Sequence, residues 1–224
     1  MVLACLDLKG LNNKMNNIKV EKMNIKDMKQ ATDLLQKEWN LGKRESEATR
    51  NICAWIYLME ILEETEEMFL YKEDGKLIGF AGYSNIHSKK HYLKKKCFSI
   101  IKDFLCHSRK IKNKEGFRAY RENYDYIPEQ FKRGYFDGEV SILILDEVYR
   151  GKGLGKNLLS DVFSAAKRDG MRNIQILTDE SCNVQFYEKM GCKKVYETVV
   201  ENKEQGLLGD TYSEKAYIYE KKLS

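Results

Sequence analysis

The sequence predicts an α/β protein built on a mixed sheet with helices on both of its faces. Three observations lead to this fold class. Short apolar runs of strand length alternate with longer segments of helical periodicity. The pair Asp74-Gly75 joins two of those runs as a hairpin turn. A glycine run at 151–155 separates a strand from a helix. A chain of 224 residues with 42% hydrophobic residues can bury the core of one such domain.

The predicted elements follow the order β-α-α-β-β-insertion-β-α-β-α-β-β. Apolar periodicity places each of them, with Asp27 expected to cap the first helix and Gly191 to end the last one. A polar, glycine-containing loop is expected at 201–210. The expected strands are 18–23, 69–71, 77–83, 138–146, 173–178, 192–200 and 216–222, and the expected helices are 27–40, 45–64, 154–168 and 182–190.

Two segments fall outside this pattern. Residues 1–15 have no periodicity and are assigned to an N-terminal extension, which leaves 16–224 as a single domain. Residues 87–134 form a long helical insertion between the third and fourth strands. Its first part, 87–115, has ten basic and two acidic residues, a net charge of +8 against +5 for the whole chain. Helical spacing there predicts a basic amphipathic helix whose apolar face is formed by Leu93, Cys97, Ile100, Ile101, Phe104 and Leu105.

Three interpretations of the insertion stay open. Its helix packs on the domain and exposes a basic face, or the insertion closes as a lid over a substrate pocket, or it binds nucleic acid or an anionic membrane. Charge alone is weak evidence for the last of these. The aromatic residues of 120–136 also follow the basic run instead of alternating with it, as a base-stacking surface would require. Nucleic acid and membrane are therefore the less favoured partners.

Composition excludes several classes of protein. A third of the residues are charged, and no apolar run approaches the ~20 residues of a membrane span. The six cysteines form no Cys-x-x-Cys pair, so no metal site is predicted. Scattered cysteines without a signal peptide favour a reducing, cytoplasmic location.

The glycine run from Arg150 to Lys156 predicts an anion site. Glycines allow a tight turn with bare N–H groups, and the start of a helix adds its own unpaired N–H groups and dipole. A Walker phosphate loop does not fit, because its first glycine would fall on Arg150 and its hydroxyl on Asn157. The dinucleotide fingerprint does not fit either, because its third glycine would fall on Lys156. A phosphate or pyrophosphate bound in another way is expected.

The run 150–155, Arg-Gly-Lys-Gly-Leu-Gly, resembles the Arg/Gln-x-x-Gly-x-Gly/Ala loop of the GCN5-related N-acetyltransferase (GNAT) family. The run 186–191, Phe-Tyr-Glu-Lys-Met-Gly, is similar to a second motif of that family, and the element order agrees as well. The resemblance covers about residues 16–86 and 135–222. It implies the acyl-CoA N-acyltransferase (GNAT) fold, whose sheet splays around acetyl-CoA, and transfer of an acetyl group from that co-substrate to a primary amine.

The resemblance also implies which residues hold acetyl-CoA. The glycine loop would bind the pyrophosphate, and the end of the fourth strand would pair with the pantetheine arm and offer a backbone N–H to the oxyanion. An asparagine on the short helix would add a contact, although many members place it seven residues before the tyrosine and here the gap is four. The implied residues are Leu143, Ile144, Leu145, Arg150, Gly151, Lys152, Gly153, Leu154, Gly155, Lys156, Asn183 and Tyr187.

Two catalytic residues are expected. Tyr187 is the candidate general acid for the CoA thiolate. Glu139 is the candidate general base, because some family members carry a catalytic glutamate early on this strand, and a plain carboxylate at the strand's edge is the alternative. Alternation puts Glu139 on one face with Ser141, Leu143 and Leu145. Asp137 and Glu147 are less well placed. No histidine is oriented toward Cys182, so direct transfer is favoured over an acyl-enzyme.

Two functions remain open for the chain. The first is an acetyl-CoA-dependent N-acetyltransferase whose acceptor is a small-molecule or peptide amine. The second is a catalytically silent acetyl-CoA-binding sensor or interaction module of the same fold. The acceptor identity, a homodimer and the start of translation at Met1 or Met15 are not decided by the sequence.

Overall fold

The computed structural model describes residues 18–41, 45–88, 90–111, 128, 131, 135–202 and 212–223. The predicted N-terminal extension, most of the insertion beyond residue 111 and most of the loop at 201–210 lie outside these described residues, so those assignments stay predictions.

Seven strands and five α-helices form the described structure. The strands are β1 (Ile18–Lys22), β2 (Thr65–Glu73), β3 (Lys76–Asn85), β4 (Gly138–Leu145), β5 (Asn173–Asp179), β6 (Lys193–Asn202) and β7 (Tyr212–Lys222). The helices are α1 (Met28–Trp39), α2 (Glu47–Glu64), α3 (Tyr92–Cys106), α4 (Leu154–Arg168) and α5 (Val184–Lys189).

The sheet has the strand order β1-β2-β3-β4-β5-β7-β6. β4 and β5 are parallel neighbours and every other neighbouring pair is antiparallel. β3 and β4 pair along their length, whereas β4 and β5 pair only at Glu139 and Gln175. The sheet therefore splits into two parts that separate beyond this point, which confirms the expected mixed sheet and its splay.

Helices cover both faces of the sheet, as the sequence predicts. On one face, Leu35 of α1 and Leu58 of α2 pack with Phe80 in a core to which α3 adds Phe98. On the other face, α4 lies over β2, β3 and β4 in a second core that includes Ala81, Leu158, Leu159, Val162 and Ile174.

A β-bulge interrupts the alternation of side chains along β4. Gly82 of β3 pairs with Ile142, but the next residue, Tyr83, pairs with Val140, so Ser141 is an extra residue in β4. Val140 consequently packs with α4, whereas Ile142 packs with the helices of the opposite face. Without the bulge, these two residues would point the same way.

The bulge corrects the predicted environment of Glu139. This residue precedes Ser141, so its side chain lies on the face that Ile142 and Ile144 occupy, next to the end of α2. The expectation that Glu139 shares a face with Ser141, Leu143 and Leu145 is wrong, because simple alternation holds only for an uninterrupted strand.

Asp27 occupies the N-cap position of α1 as predicted, but its side chain makes no capping hydrogen bond to that helix. Asn24 caps a short 3₁₀ turn, Ile25–Asp27, by accepting a hydrogen bond of 2.9 Å from the Lys26 amide. Asp27 completes this capping box, since its Oδ2 accepts from the Asn24 amide at 3.0 Å. Its Oδ1 accepts from the Lys72 ammonium at 2.7 Å, so the buried carboxylate ties the start of α1 to β2.

The helix α3 lies between β3 and β4 but packs differently from the expected basic amphipathic helix. Its inward side includes Lys102, which pairs with Glu63, and Lys95, which lies 3.1 Å from Glu66. These glutamates make the end of α2 and the start of β2 acidic, and they attract the lysines of α3. Much of the predicted apolar face is exposed instead, with Leu93 77% and Phe104 78% exposed. The prediction that α3 packs on the domain through its apolar face is therefore wrong.

None of the helices in the described part of the chain combines the length and the apolar character needed to cross a lipid bilayer.

Candidate active site

The candidate site is the wedge that opens between β4 and β5. Beyond Glu139, the edge of β4 that faces β5 has no strand partner. The six residues from there to Leu145 extend over roughly 20 Å. On the far side of the wedge, α5 approaches the start of α4. A methyl group built on Gly155 would lie 3.8 Å from the Phe186 ring and 3.9 Å from Leu145.

The glycine loop lies at the open end of this wedge. Gly151 and Gly153 have φ angles of +75° and +80°, the left-handed region that glycine adopts without strain. α4 begins at Leu154, directly after Gly153. No backbone N–H from 151 to 156 donates a hydrogen bond to another described residue. A loop and a helix start with bare N–H groups form the arrangement that binds phosphate groups, so the residues present fit a pyrophosphate.

The basic side chains of the loop divide into two kinds. Arg150 is turned toward the protein: it pairs with Glu38 of α1, and its Nε donates to the Leu145 carbonyl at 3.2 Å. Lys152 lies over the Tyr149 ring, and its Nζ donates to a carbonyl of the loop at 2.9 Å. Lys156 is exposed and makes no ion pair with another described residue. Arg150 thus braces the loop, and the lysines are the nearer source of positive charge.

Replacing Gly153 with alanine should weaken acetyl-CoA binding. Nothing lies within 4 Å of the added methyl group, so the effect arises from the positive φ angle alone. An alanine there is strained by about 1–2 kcal/mol, and the loop would relax and turn its N–H groups away. We expect KM for acetyl-CoA to rise about tenfold, measured by steady-state kinetics.

Gly170 offers a matched control for this loop variant. It follows α4 at its other end, has a φ of +82° and also has nothing within 4 Å of an added methyl group. G170A should lose similar stability but keep the KM for acetyl-CoA. Equal KM values in G153A and wild type would contradict a role of the loop in binding.

Tyr187 lies on α5, on the α4 side of the sheet. Its ring is 5.7 Å from that of Tyr219, and its side chain is buried. Burial raises the pKa of Tyr187, so the phenol keeps its proton at any physiological pH. The Thr178 side chain lies close enough to the Tyr187 hydroxyl to offset part of this rise. A buried phenol that keeps its proton can donate it to a departing thiolate.

Asn183 does not lie on the helix with Tyr187 as predicted. It is the exposed N-cap residue of α5, with φ −76° and ψ 81°, and its side chain makes no cap hydrogen bond. The shared helix face expected for the two residues is therefore wrong, because the helix begins one residue later, at Val184.

Glu139 lies where β4 and β5 still pair. Gln175 faces it from β5, and Gln175 Nε2 donates to Glu139 Oε2 at 2.8 Å. Burial raises the pKa of Glu139 to about 7, and the negative charge of Glu64 adds to the shift. A carboxylate with this pKa can accept a proton near neutral pH, which is what a general base requires.

The other acidic candidates are engaged elsewhere. Asp137 accepts from the Arg172 amide at 2.7 Å and also faces the Arg172 guanidinium. These contacts lower the pKa of Asp137 to about 2, so it is a poor base. Glu147 is exposed at the start of a 3₁₀ turn outside the wedge. Cys182 is exposed as a free thiol.

A cavity of about 360 Å³ opens beside Glu139 on the α2 side of the sheet. Its described lining includes Glu64, Asn85, Phe131, Phe136, Glu139 and Gln175. Glu139 thus faces the wedge from the α2 side of the sheet, whereas Tyr187 lies in the core on the α4 side. The sequence gave no signal for Glu64 or Gln175, because neither lies in a motif and only the sheet register brings them to Glu139.

Among the residues that the structure describes, no three His, Cys, Asp or Glu side chains form a group that could hold a metal ion.

Comparison with known proteins supports the fold and the family. Residues 128–207 match the model of the acetyltransferase (GNAT) domain. The N-acetyltransferase from Staphylococcus aureus Mu50 is similar in structure, with a TM-score of 0.54 and 16% identity over 93% of this chain and 100% of that one. The protein yncA from Salmonella typhimurium, solved with its cofactor acetyl-CoA, has a TM-score of 0.53 and 15% identity over 93% of this chain and 95% of its own.

A third similar structure is the ribosomal-protein-S18-alanine N-acetyltransferase from Escherichia coli, with a TM-score of 0.50 and 14% identity over 92% of this chain and 94% of that chain. No curated protein matches the chain by sequence. The splayed sheet, the glycine loop and these matches define an acyl-CoA N-acyltransferase fold. Residues 128–207 are thus similar to a GNAT acetyltransferase domain, and the chain has the fold of that family.

Proposed function

We propose that the protein is an acetyl-CoA-dependent N-acetyltransferase that transfers the acetyl group directly to a primary amine. One observation carries the proposal. The wedge between β4 and β5 has a bare N–H cradle at its open end and a carboxylate with a pKa of about 7 at its closed end. The similarity in fold to yncA, which was solved with acetyl-CoA, supports this choice of donor.

The residues of this chain have distinct roles in the proposed reaction. The N–H groups of 151–156 bind the pyrophosphate, and the unpaired edge of Leu143, Ile144 and Leu145 pairs with the pantetheine arm. A backbone N–H of that edge donates to the carbonyl oxygen as it gains charge. Acetyl-CoA supplies a thioester carbonyl that the amine attacks and a thiolate that leaves. The C–N bond forms as the C–S bond breaks.

In the proposed reaction Glu139 accepts a proton and Tyr187 donates one. An amine enters as an ammonium, with a pKa near ~10.4 for an alkyl amine, so it must first lose a proton. Glu139 accepts that proton and later releases it to solvent. Tyr187 donates its phenolic proton to the departing thiolate and is reprotonated, through solvent, by the second proton of the nitrogen. The balance is one ammonium and one thioester converted to an amide, a thiol and one released proton.

The test is a screen of acetyl-CoA consumption over amines. The panel contains alkyl monoamines, diamines, aminoglycosides, peptide N-termini and lysine peptides, with product masses recorded. The proposal expects a mass gain of one acetyl group on at least one class. Acetyl-CoA binding by calorimetry without acetylation of any amine would instead favour the silent sensor.

A further inference from the structure

The charged residues that line the cavity beside Glu139 indicate which class of acceptor binds there. Two charged residues, Glu64 and Glu139, are among its described lining, and both are negative. Lys102 and Lys95, whose charges act on Glu64, are not part of that lining. Lys102 pairs with Glu63, and the Lys95 ammonium lies 3.1 Å from Glu66 and donates to the Glu64 carbonyl at 3.1 Å. The cavity is therefore an anionic recess in a protein of formal charge +5.

We infer that the acceptor is a small aliphatic diammonium ion, one end bound by Glu139 and Gln175 and the other by Glu64. This inference rests on the proposed function, because it names the substrate class of the same site.

The inner end of the cavity is built for an ammonium group. Gln175 Nε2 donates to Glu139, but Gln175 Oε1 is buried and has no hydrogen-bond partner among the described residues. An orphaned buried acceptor is rare in folded proteins unless a ligand or water satisfies it. An ammonium beside it can donate to Gln175 Oε1 and to the Glu139 carboxylate at once. Both of these oxygens are acceptors, so a group that lies between them must donate hydrogen bonds.

The residue at the outer end of the cavity, Glu64, favours an acceptor with a second positive charge. Glu64, at the end of α2, is exposed at the rim of the cavity, and its negative charge acts on Glu139. A monoammonium bound at Glu139 leaves Glu64 with no cation inside the cavity, since Lys102 and Lys95, which act on Glu64, are not part of the described lining. A second ammonium on the same molecule satisfies both carboxylates, and the one at Glu139 is the one that loses its proton and is acetylated.

The space between the two ends suits a short methylene chain. The rings of Phe131 and Phe136 stack at 5.7 Å, and both line the cavity. Its volume of about 360 Å³ lies at the small end of the ~300–1,000 Å³ range of ligand sites. A small molecule fits this volume better than an extended peptide.

The experiment compares 1,4-diaminobutane with 1-butylamine as acceptors, using acetyl-CoA and the full chain. The two amines have the same methylene chain and differ in the second ammonium. We expect kcat/KM to be at least tenfold higher for the diamine in wild type. E64Q should lower that ratio about two- to fivefold, the effect of one partly exposed ion pair. E67Q, which removes a charge of β2 outside the cavity lining and paired with Lys22 and Arg168, should leave the ratio unchanged.

Each outcome bears on one of the two proposals. Equal kcat/KM for the two amines, or faster acetylation of a peptide amine, overturns the diammonium inference and leaves the acetyltransferase function intact. Loss of the diamine preference in E67Q as well as in E64Q also overturns it, since the effect would then be one of general charge. Failure to acetylate any amine overturns the proposed function itself.

Discussion

Substituting Glu139 with glutamine should reduce kcat by about 10²–10⁴-fold and at the same time stabilise the protein at alkaline pH. The loss of activity follows because glutamine cannot accept the amine's proton. The gain in stability follows because burial raises the pKa of Glu139 from 4.5 to about 7, so the folded state disfavours the charged carboxylate. Initial rates with both substrates saturating and urea unfolding would measure the two effects.

The sign of the stability effect depends on pH. Glu139 has a higher pKa in the folded state than in the unfolded state, so the cost of its charge appears as pH rises from 4.5 to 7 and is complete above 7. At pH 8, E139Q should therefore gain about 2–3 kcal/mol in the free energy of unfolding. Most of that gain should disappear by pH 4.5, where the carboxyl is protonated in the folded state.

The glutamine side chain should also fit the site. Gln175 Nε2 donates to Glu139, while Gln175 Oε1 has no partner among the described residues. An amide at position 139 can accept from the first group and donate to the second. A stable but inactive variant separates catalysis from folding, since a purely structural carboxylate would lose stability when neutralised. Retained activity in E139Q would remove Glu139 as the base.

Asp137 provides a control in which the free energy of unfolding should change in the opposite direction. It lies two residues earlier, is 5% exposed, and its contacts with Arg172 lower its pKa to about 2. A lowered pKa stabilises the fold above the unfolded pKa of 3.8, and this contribution is lost as pH falls toward 2. D137N should therefore lose about 2 kcal/mol at pH 8, whereas E139Q gains.

The pH dependence of the rate follows from the same carboxylate. In wild type, kcat should rise with pH through a value near 7 as Glu139 ionises. E139Q should not show this rise of kcat near pH 7. The remaining pH dependence should come from the ionisation of the amine substrate. The comparison is made with one amine at saturation, so that binding does not contribute.

Local features of the site were predictable from the sequence. The glycine loop depends on φ angles that glycine alone adopts readily, and Gly151 and Gly153 have them. The end of α5 at Gly191 depends on the same property, with a φ of +72°. Such features involve a few consecutive residues, so the chain specifies them without reference to the rest of the fold.

Contacts between distant elements were not predictable. The face of Glu139 depends on the bulge at Ser141, which appears only in the pairing of β4 with β3. The pairing of Glu139 with Gln175 depends on the register of two strands that are separated by α4. The face of α3 that packs depends on acidic residues of α2 and β2, far away in sequence. Periodicity reports the pattern of one element and carries no information about its neighbour.

Tyr187 is the second position where a large effect is expected. Its burial keeps the phenol protonated, so the residue can act as an acid and not as a base. Thr178 is the polar side chain that interacts with its hydroxyl, so removal of the hydroxyl should cost no more than the ~0.5–1.5 kcal/mol of one hydrogen bond. A loss of kcat much larger than this would identify a role in the reaction and not in packing.

Tyr187→Phe should therefore lower kcat by about 100-fold, at the lower end of general-acid effects because a thiolate leaves readily. KM for acetyl-CoA should stay within twofold, and the free energy of unfolding should fall by no more than about 1 kcal/mol. Tyr219→Phe is the matched control, since its ring lies 5.7 Å from Tyr187 and its hydroxyl donates to Glu188 at 3.2 Å. That variant should lose some stability and keep its kcat. An equal loss of kcat in the two variants would mean that packing of the tyrosine pair, and not proton donation by Tyr187, supports the reaction.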